Sequence, residues 1–469
     1  MEKENHLYMY VYRMILSDIY NGKYNFQDKL PPLLELCELY HVGRNTVRNA
    51  LILLQQDGYI IMQKGVQATV CFDLNNFETQ KQYKQTIKDS QQMITDIFHT
   101  MGTILPEISV ICLQRMTTEE LDELQKKIDH FSYDYITNEN EMIQELYNIY
   151  LYAFSTLKNQ QLNDLFITFM SSIYQPLIDT EHVHNELKKN IKRLQKALKM
   201  LLKATQNKNY IIVKYIIVMM CKANAKLSQK YIHDLCEGMS VKNEKQFIWI
   251  CHDNRDYLYI KVVLKIMKAI QKQIYVKDTL LPSIAKLAEE YEVSEKTIRT
   301  SLQLLREYHV IETINGVGSK VIVDNHYKQS ILSNNETFKN NIKVFYNSIE
   351  LLSLIMPIII PKVLKTITDK DLLMINEKTQ QDDFPTLEHF YDYVVSKCNP
   401  CLQNVLEELK NPMGWNIFLG RVITFPSLDY RLYQSELFNA LNKKDVQKVS
   451  EITEVILKAS LEGIRLYIK

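Results

Sequence analysis

Residues 30–60 read LPPLLELCELYHVGRNTVRNALILLQQDGYI. The Pro-Pro pair is typical of a helix start, and the apolar residues after it predict a helix over 33–40. A short His41-Val42-Gly43 link leads to a second run of apolar residues at helical spacing over 45–56, which Gly58 ends. The pattern predicts two short helices joined by a tight turn.

The flanking residues complete this unit. Residues 8–20 have the apolar spacing of a helix that Gly22 ends. Residues 59–63 and 68–72 have the composition of two short strands around a Lys64-Gly65 turn. Three helices followed by a two-stranded ribbon make a winged helix-turn-helix domain.

The chain contains this unit twice. When the sequence is shifted by 251 positions, residues 8–73 align with residues 259–324 without a gap, and about a third of the 66 aligned positions are identical. The same shift aligns Pro106 with Pro357 and Thr117 with Thr368, beyond the predicted wing. An internal repeat of this length indicates a tandem duplication of one two-domain unit.

The composition of the 469 residues fits a duplicated, mainly helical protein, because the chain has only 11 Gly and 11 Pro. We therefore predict a mainly α fold with two winged helix-turn-helix domains, each followed by an all-helical bundle. The predicted domains are winged domains at 1–75 and 255–326, and helical effector or dimerisation domains at 80–250 and 330–469. A net charge of +1 means that any DNA-binding face must be locally positive.

The motifs resemble the amino-terminal domain of the GntR family of bacterial regulators. Matching residues in the first copy are Leu30-Pro31-Pro32, Glu35-Leu36, Tyr40, Val42 to Arg48, Ala50-Leu51, Gly58 and Gly65. Those in the second copy are Leu281-Pro282-Ser283, Leu287, Tyr291, Val293 to Arg299, Leu302 and Gly316. The resemblance implies double-stranded DNA as the partner.

A recognition helix presents its first turn to base edges in the major groove, where Arg can bind guanine with two hydrogen bonds. The wing glycine lets the backbone approach the minor groove. The predicted DNA-binding residues are Gly43, Arg44, Asn45, Thr46, Arg48, Lys64 and Gly65 in copy one, and Ser294, Lys296, Thr297, Arg299, Asn315 and Gly316 in copy two. The alternative is that Arg44 and Arg48 only solvate an exposed helix face.

The second copy departs from the family motif at three positions. Glu295 replaces the motif arginine, His309 replaces the glycine that ends the helix, and Asn315 replaces the wing lysine. The overall charge nevertheless favours DNA binding by copy two. Residues 259–324 contain ten Lys and Arg against eight Asp and Glu, whereas residues 8–73 contain six of each. We expect copy two to keep phosphate affinity but to recognise different bases, or few.

The downstream segments resemble the helical ligand-binding domain of the FadR-like branch of the family. The resemblance depends on residues 150–162 and 390–402, and on Leu201-Leu202-Lys203-Ala204 and Leu437-Phe438-Asn439-Ala440. Many members hold a metal there with one Asp and three His. The aligned positions are Tyr147, Leu151, Ala197 and Met220 in copy one, and Leu387, Tyr391, Tyr433 and Ile456 in copy two. These residues cannot bind zinc, so we expect no metal or other cofactor.

The resemblance to this branch implies a lipophilic small-molecule effector. The alternative is that these helical domains only dimerise and pack.

Other features predict little chemistry. Cys398 and Cys401 supply only two ligands, and His182 and His184 fit no known site spacing. The apolar stretches 210–221 and 351–364 are shorter than a membrane span, and the first residues lack a signal core. We expect a cytoplasmic protein that is associated with the nucleoid when bound to DNA, with no membrane partner and no enzymatic activity.

These features predict a sequence-specific transcription regulator whose one chain supplies both winged domains as an internal pseudo-dimer. Further homodimerisation stays open. The rival hypothesis is a protein-interaction scaffold in which copy two has lost DNA binding, and Glu295 is the residue that favours it.

Overall fold

The structure is a computed structural model that describes residues 4–20, 23–40, 42–63, 65–73, 75–132, 134–136, 139–173, 181–249, 257–271, 273–307, 310–322, 336–381, 386–410 and 430–468. Gly22, Lys64 and His309 lie outside these residues. The chain divides into two compact units. The first contains Met1–Ile250 and Lys397–Val405, and the second contains Cys251–Ser396 and Leu406–Lys469.

The first unit begins with a winged helix-turn-helix. Its helices are α1 (Glu4–Tyr20), α2 (Leu33–Leu39) and α3 (Arg44–Gln56), and its strands are β1 (Ile60–Ile61) and β2 (Thr69–Val70). The strands pair antiparallel, with Ile60 opposite Val70. The side chains that fill the core between the three helices are fully buried: Val11, Ile15, Leu36, Val47, Ala50 and Leu54. Both strands are shorter than predicted, because only two residues of each complete the ladder.

Among the described residues of the first unit, seven helices follow the winged domain. They are α4 (Phe77–Asp89), α5 (Gln91–Gln114), α6 (Thr118–His130), α7 (Glu139–Ser155), α8 (Gln160–Ile173), α9 (Glu181–Gln206) and α10 (Tyr210–Leu235). The central helix α5 packs along α10 and also contacts α7 and α8. Its buried face includes Ile97, Ile104 and Ile108, which are spaced one or two turns apart.

The second unit repeats this order. Its winged domain comprises α11 (Tyr257–Gln271), α12 (Ile284–Glu290), α13 (Glu295–Glu307), β3 (Ile311–Ile314) and β4 (Gly318–Val321). Its later helices are α14 (Glu336–Leu364), α15 (Asp369–Gln381), α16 (Thr386–Ser396), α18 (Tyr430–Asn442) and α19 (Val446–Ile468). Helix α17 (Pro400–Lys410) is divided between the units, with its residues up to Val405 in the first and those from Leu406 in the second. Helix α14 packs along α19, as α5 packs along α10. The expected mainly helical fold with two winged domains is confirmed.

Helix caps show that the duplication extends beyond the winged domains. Thr117 and Glu120 form a capping box at α6, and Thr368 and Asp371 make the same reciprocal bonds before α15. The side chains of Asn159 and Asn399 each accept a backbone N–H three residues later, at Leu162 and Leu402. The division into four domains with the predicted boundaries remains a prediction.

Two helices meet the length and hydropathy of a membrane span, contrary to our expectation from the uninterrupted apolar runs. They are Gln91–Gln114 and Ile342–Leu364, and 67% of the apolar window of each is buried inside the fold. The two spans start at positions that the 251-residue shift aligns, and both lie in helices that pack along a long partner, α10 or α19. Burial of this kind is typical of the core helix of a helical domain.

Candidate nucleic-acid interface

Helix α3 of the first copy has one buried face and one exposed face. Val47, Ala50, Leu51 and Leu54 anchor it in the core. Gly43 precedes the helix in extended backbone, with φ −69° and ψ 156°. The predicted DNA-binding side chains Arg44, Asn45 and Arg48 are exposed, and Thr46 is half-buried. The helical period therefore separates the packing residues from those that we predict to face DNA.

The two arginines of α3 have no acidic partner. Among the residues that the structure describes, neither Arg44 nor Arg48 takes part in an ion pair, and both side chains reach solvent. Since they stand at positions i and i+4, they lie on one face of the first turns. Guanidinium groups in this state are available to phosphates or to guanine.

Helix α13 of the second copy occupies the same place but has different electrostatics. Its cap is Ser294, whose Oγ accepts a hydrogen bond from the Thr297 N–H at 3.2 Å. Arg299 Nη2 lies 3.3 Å from Glu295 Oε2, and both side chains are more than half exposed. The only arginine among the predicted contacts of this copy is thus paired within its own helix.

The two wings share a glycine at the tip but differ in the neighbouring residue and in strand length. Gly65 and Gly316 have φ near +80° and +75°, a backbone conformation that favours glycine, and a Cβ at either position would meet no atom within 4 Å. The backbone angle rather than space therefore requires glycine at both wing tips. Asn315 is exposed beside Gly316, while Lys64 lies outside the described residues. The β3–β4 ribbon has four paired positions, whereas the β1–β2 ribbon has two.

Acidic residues also form ion pairs with Lys320, which lies on strand β4 of the second wing. Lys320 Nζ lies 2.9 Å from Asp278 Oδ1 and 3.8 Å from Glu312 Oε1. The hydrogen bond and attraction to Asp278 raise the pKa of Lys320, and the same contact lowers the pKa of Asp278. Residue 69, the first-copy counterpart of Lys320, is threonine. Intramolecular pairs therefore hold two of the cationic groups of the second winged domain, Arg299 and Lys320.

Sequence reasoning missed the anchoring of the first winged domain. Arg13 on α1 donates hydrogen bonds to the backbone oxygens of Ile248 at 2.6 Å and Gln246 at 3.0 Å. Burial lowers the pKa of Arg13 to about 10. The neighbouring Trp249 is 1% exposed, and its backbone N–H donates to Asn404 Oδ1 at 2.6 Å. The only signal in the sequence was the pair of aromatic residues Phe247 and Trp249 at the end of the predicted helical domain 80–250.

The positions aligned with the metal ligands of the FadR-like branch are occupied by packing residues. Met220, Leu387, Tyr391 and Ile456 are buried, and Tyr391 Oη donates to the Leu406 oxygen at 2.7 Å. Burial raises the pKa of Tyr147 to about 12. In the described part of the chain, no three His, Cys, Asp or Glu side chains converge as a metal site would require.

The cysteine pair predicted to do little chemistry is protected. Burial raises the pKa of the Cys398 thiol to about 11 and that of the Cys401 thiol to about 12. Both stay protonated near neutral pH, when a thiol is a poor nucleophile and a poor metal ligand. The side chains of His182 and His184 lie outside the described residues.

Comparison with known proteins identifies the winged domains. Residues 7–70 and 258–321 match the family described as "Bacterial regulatory proteins, gntR family". A 59-residue stretch is 44% identical to the uncharacterized HTH-type transcriptional regulator YurK of Bacillus subtilis strain 168. That stretch is 13% of this chain and 24% of YurK, so the chain spans about a quarter of this relative.

Three solved structures align with about half of the chain. A GntR protein of Streptococcus agalactiae aligns at 19% identity, covering 47% of this chain and 99% of its own, with a TM-score of 0.23. McbR/YncC of E. coli aligns at 14% identity over 48% of this chain and 97% of its own, with a TM-score of 0.27. Lar, described as controlling expression of the Listeria monocytogenes agr system, aligns at 15% identity over 48% and 96%, with a TM-score of 0.23. At TM-scores below 0.5, these likenesses support no inference about this chain.

Both family matches coincide with the helices and strands of the two winged domains, so the chain is a tandem winged helix-turn-helix protein. Its two winged domains belong to the GntR family of bacterial regulators, and the resemblance predicted from the motifs is confirmed. Assignment of the helical domains to the FadR-like branch stays a prediction.

Proposed function

We propose that this protein is a transcription regulator that binds a duplex DNA operator with two unlike recognition helices supplied by one chain. The observation that carries the proposal is that α3 and α13 are corresponding helices of the two copies. They start and end at positions that the 251-residue shift aligns, and both belong to winged domains of the same family. In such domains the recognition helix enters the major groove, so two copies provide two half-site contacts.

We propose the following base-reading and positioning residues. In copy one they are Gly43, Arg44, Asn45, Thr46, Arg48, Lys64 and Gly65, and in copy two Ser294, Lys296, Thr297, Arg299, Asn315 and Gly316. Exposure of Arg44 and Arg48 supports the first set. Pairing of Arg299 with Glu295 supports a weaker or different contact in the second set.

A selection experiment tests the proposal. The full-length chain is used to enrich duplexes from a random pool, and the affinity for the enriched duplex is then measured against salt. We expect a preferred sequence and an affinity that falls steeply as salt rises, because phosphate contacts release counterions. The absence of any preferred duplex, or a slope near zero, would contradict the proposal.

A scaffold function is the second candidate, and the pairing of Arg299 and Lys320 with acidic groups favours it. In that case copy two recruits a partner protein and leaves the DNA to copy one. In the full-length chain, Arg299→Ala then leaves operator affinity unchanged, whereas under the regulator proposal the affinity falls.

We also propose that the helical domains pack as an internal pseudo-dimer and respond to a lipophilic effector. The helix caps show that the helical segments are duplicated, which supports the first part, and the apolar and aromatic residues at the positions aligned with the family's metal ligands support the second. A shift of the thermal midpoint on adding long-chain acyl compounds, together with a change in operator affinity, is the expected result. Unchanged operator affinity at saturating ligand would contradict effector control.

A further inference from the structure

The last two long helices of the first copy carry a local excess of positive charge. Residues 181–235, which contain α9 and α10, have twelve Lys and Arg against three Asp and Glu. Residues 430–468, which contain the counterpart helices α18 and α19, have six against five. The first winged domain is balanced and the rest of the helical domain is net negative, so the surplus positive charge of the first copy is confined to this helix pair.

One end of this helix pair lies near the first winged domain. The ring of Tyr83 on α4 lies 5.5 Å from the ring of Tyr20 and 5.7 Å from that of Phe72, so α4 packs against the winged domain. Cys236 follows the last residue of α10, and its Sγ donates to the backbone oxygen of Lys84 at 3.3 Å. The carboxyl end of α10 therefore lies beside α4, next to the winged domain.

The amino-terminal half of α9 lies at the same end. Arg193 Nη2 donates to Asn224 Oδ1 at 3.2 Å, which pairs the first half of α9 with the second half of α10. The opposite end of the pair is the turn at Lys208. Lys226 lies 18 residues after Lys208, so about 27 Å of helix separates the two ends at 1.5 Å per residue.

Four exposed lysines lie on α4 and on the parts of α9 and α10 at this end of the helix pair, and we call them the basic track: Lys81, Lys192, Lys226 and Lys230. None of the four takes part in an ion pair among the residues that the structure describes. By contrast, Lys199 pairs with Asp129 at 2.9 Å, and Lys214 pairs with Glu107 at 2.5 Å. In the described part of the chain, the track is therefore a set of exposed cations that make no ion pair.

We propose that the basic track binds the phosphate backbone of duplex DNA beside the half-site that α3 recognises. This inference rests on the proposed function and extends the DNA contact into a helical domain. Such contacts add affinity by counterion release and carry no base information. A duplex is favoured over an acidic protein because the track starts at the DNA-recognition domain, whose own charges cancel.

The contact belongs to one copy only. When residues 201–204 are aligned with residues 437–440, the counterparts of Lys226 and Lys230 in α19 are Glu462 and Leu466. A glutamate repels a phosphate, and a leucine offers it no charge. The bound DNA is therefore contacted over a longer stretch on the side of copy one.

The test compares two double variants of the full-length chain that each remove two charges. Lys226→Gln with Lys230→Gln changes the track, and Lys203→Gln with Lys208→Gln changes the far end of the same helix pair. Affinity for the enriched duplex is measured between about 50 and 200 mM salt. We expect the track variant to reduce the slope of log affinity against log salt by about 0.9 for each lost phosphate contact, and the far-end variant to leave it unchanged.

The DNA supplies a second arm of the test. The duplex is shortened on the side beyond the copy-one half-site, and the slope of log affinity against log salt is measured again. We expect the slope of the wild-type chain to fall to that of the track variant, and the slope of the track variant to stay the same. Equal slopes for the two double variants would overturn the inference while leaving the proposed function intact. Failure of the wild-type chain to prefer any duplex would overturn both.

Discussion

Residues 44 and 295 occupy the same step of the two recognition helices but carry opposite charges. Arg44 and Arg48 are exposed on α3 and have no acidic partner in the described part of the chain, whereas Arg299 Nη2 lies 3.3 Å from Glu295 Oε2 on α13. A surface pair of this kind adds little stability, since exposed pairs contribute about 0–1 kcal/mol. The pair matters more for DNA binding, because Arg299 must separate from Glu295 before it can contact a base or a phosphate.

Substitution of the two equivalent arginines should have unequal effects. We expect Arg48→Ala to cost about 1–3 kcal/mol of binding free energy on the enriched operator, the scale of a lost two-bond base contact. Arg299→Ala should cost less, because the contact it removes already competes with Glu295. Titration of both variants against the same duplex measures the difference, and equal losses would show that the two copies recognise DNA equivalently.

The sequence predicted the motif residues of the site but did not predict the ion pairs that they make. Motif residues such as Leu30, Pro31 and Arg48 have fixed spacing, so they located the recognition helices and wings from the sequence alone. The partners of Arg299 and Lys320 were beyond prediction for different reasons. Glu295 was visible as a departure from the motif, but its bond to Arg299 depends on a rotamer. Asp278 lies 42 residues before Lys320 and meets it only after the β3–β4 ribbon has folded.

At the scale of elements, the segment after α10 is an ordered part of the first unit. Lys242 donates its backbone N–H to Asp89 Oδ1 at 2.8 Å, and the rings of Phe169 and Phe247 lie 5.3 Å apart. Arg13 of α1 binds the carbonyl groups of residues 246 and 248 in the same stretch. The segment therefore ties the first winged domain to the helices that follow it.

Removal of the Arg13 guanidinium should destabilise this connection. Arg13→Met removes the donor to the part-buried carbonyl oxygen of Ile248, and an unsatisfied buried group costs about 1–3 kcal/mol in the free energy of unfolding. We expect a lower urea midpoint for the transition that includes the first winged domain. Arg48→Met is the matched control, because this exposed and unpaired residue should shift stability by about 0.5 kcal/mol or less. An unchanged midpoint for Arg13→Met would contradict the anchoring role.

The helical domains should hold no stoichiometric zinc or nickel. Metal binding requires Cys, His, Asp or Glu, and the aligned positions offer only phenol, thioether and hydrocarbon side chains. Elemental analysis of the purified chain is the measurement. About one tightly bound metal per helical domain would show that the alignment of these positions with the family is wrong.

At the scale of the whole chain, duplication removes a constraint that a homodimer obeys. Two identical subunits present identical recognition helices, so their operator must be close to a palindrome. A chain with two different recognition helices can bind two different half-sites. The bounds of α2 and α3 recur at α12 and α13, while the exposed residues at 44, 45, 295 and 296 differ, as this account requires.

Footprinting at a measured protein-to-DNA ratio tests this claim most directly. We predict that one chain protects one site made of two unlike half-sites, with centres about one turn of the double helix apart. Arg48→Ala should remove protection from one half-site, and Arg299→Ala should weaken it at the other. Protection of a symmetric site that requires two chains, with no half-site sensitive to Arg299→Ala, would contradict the account.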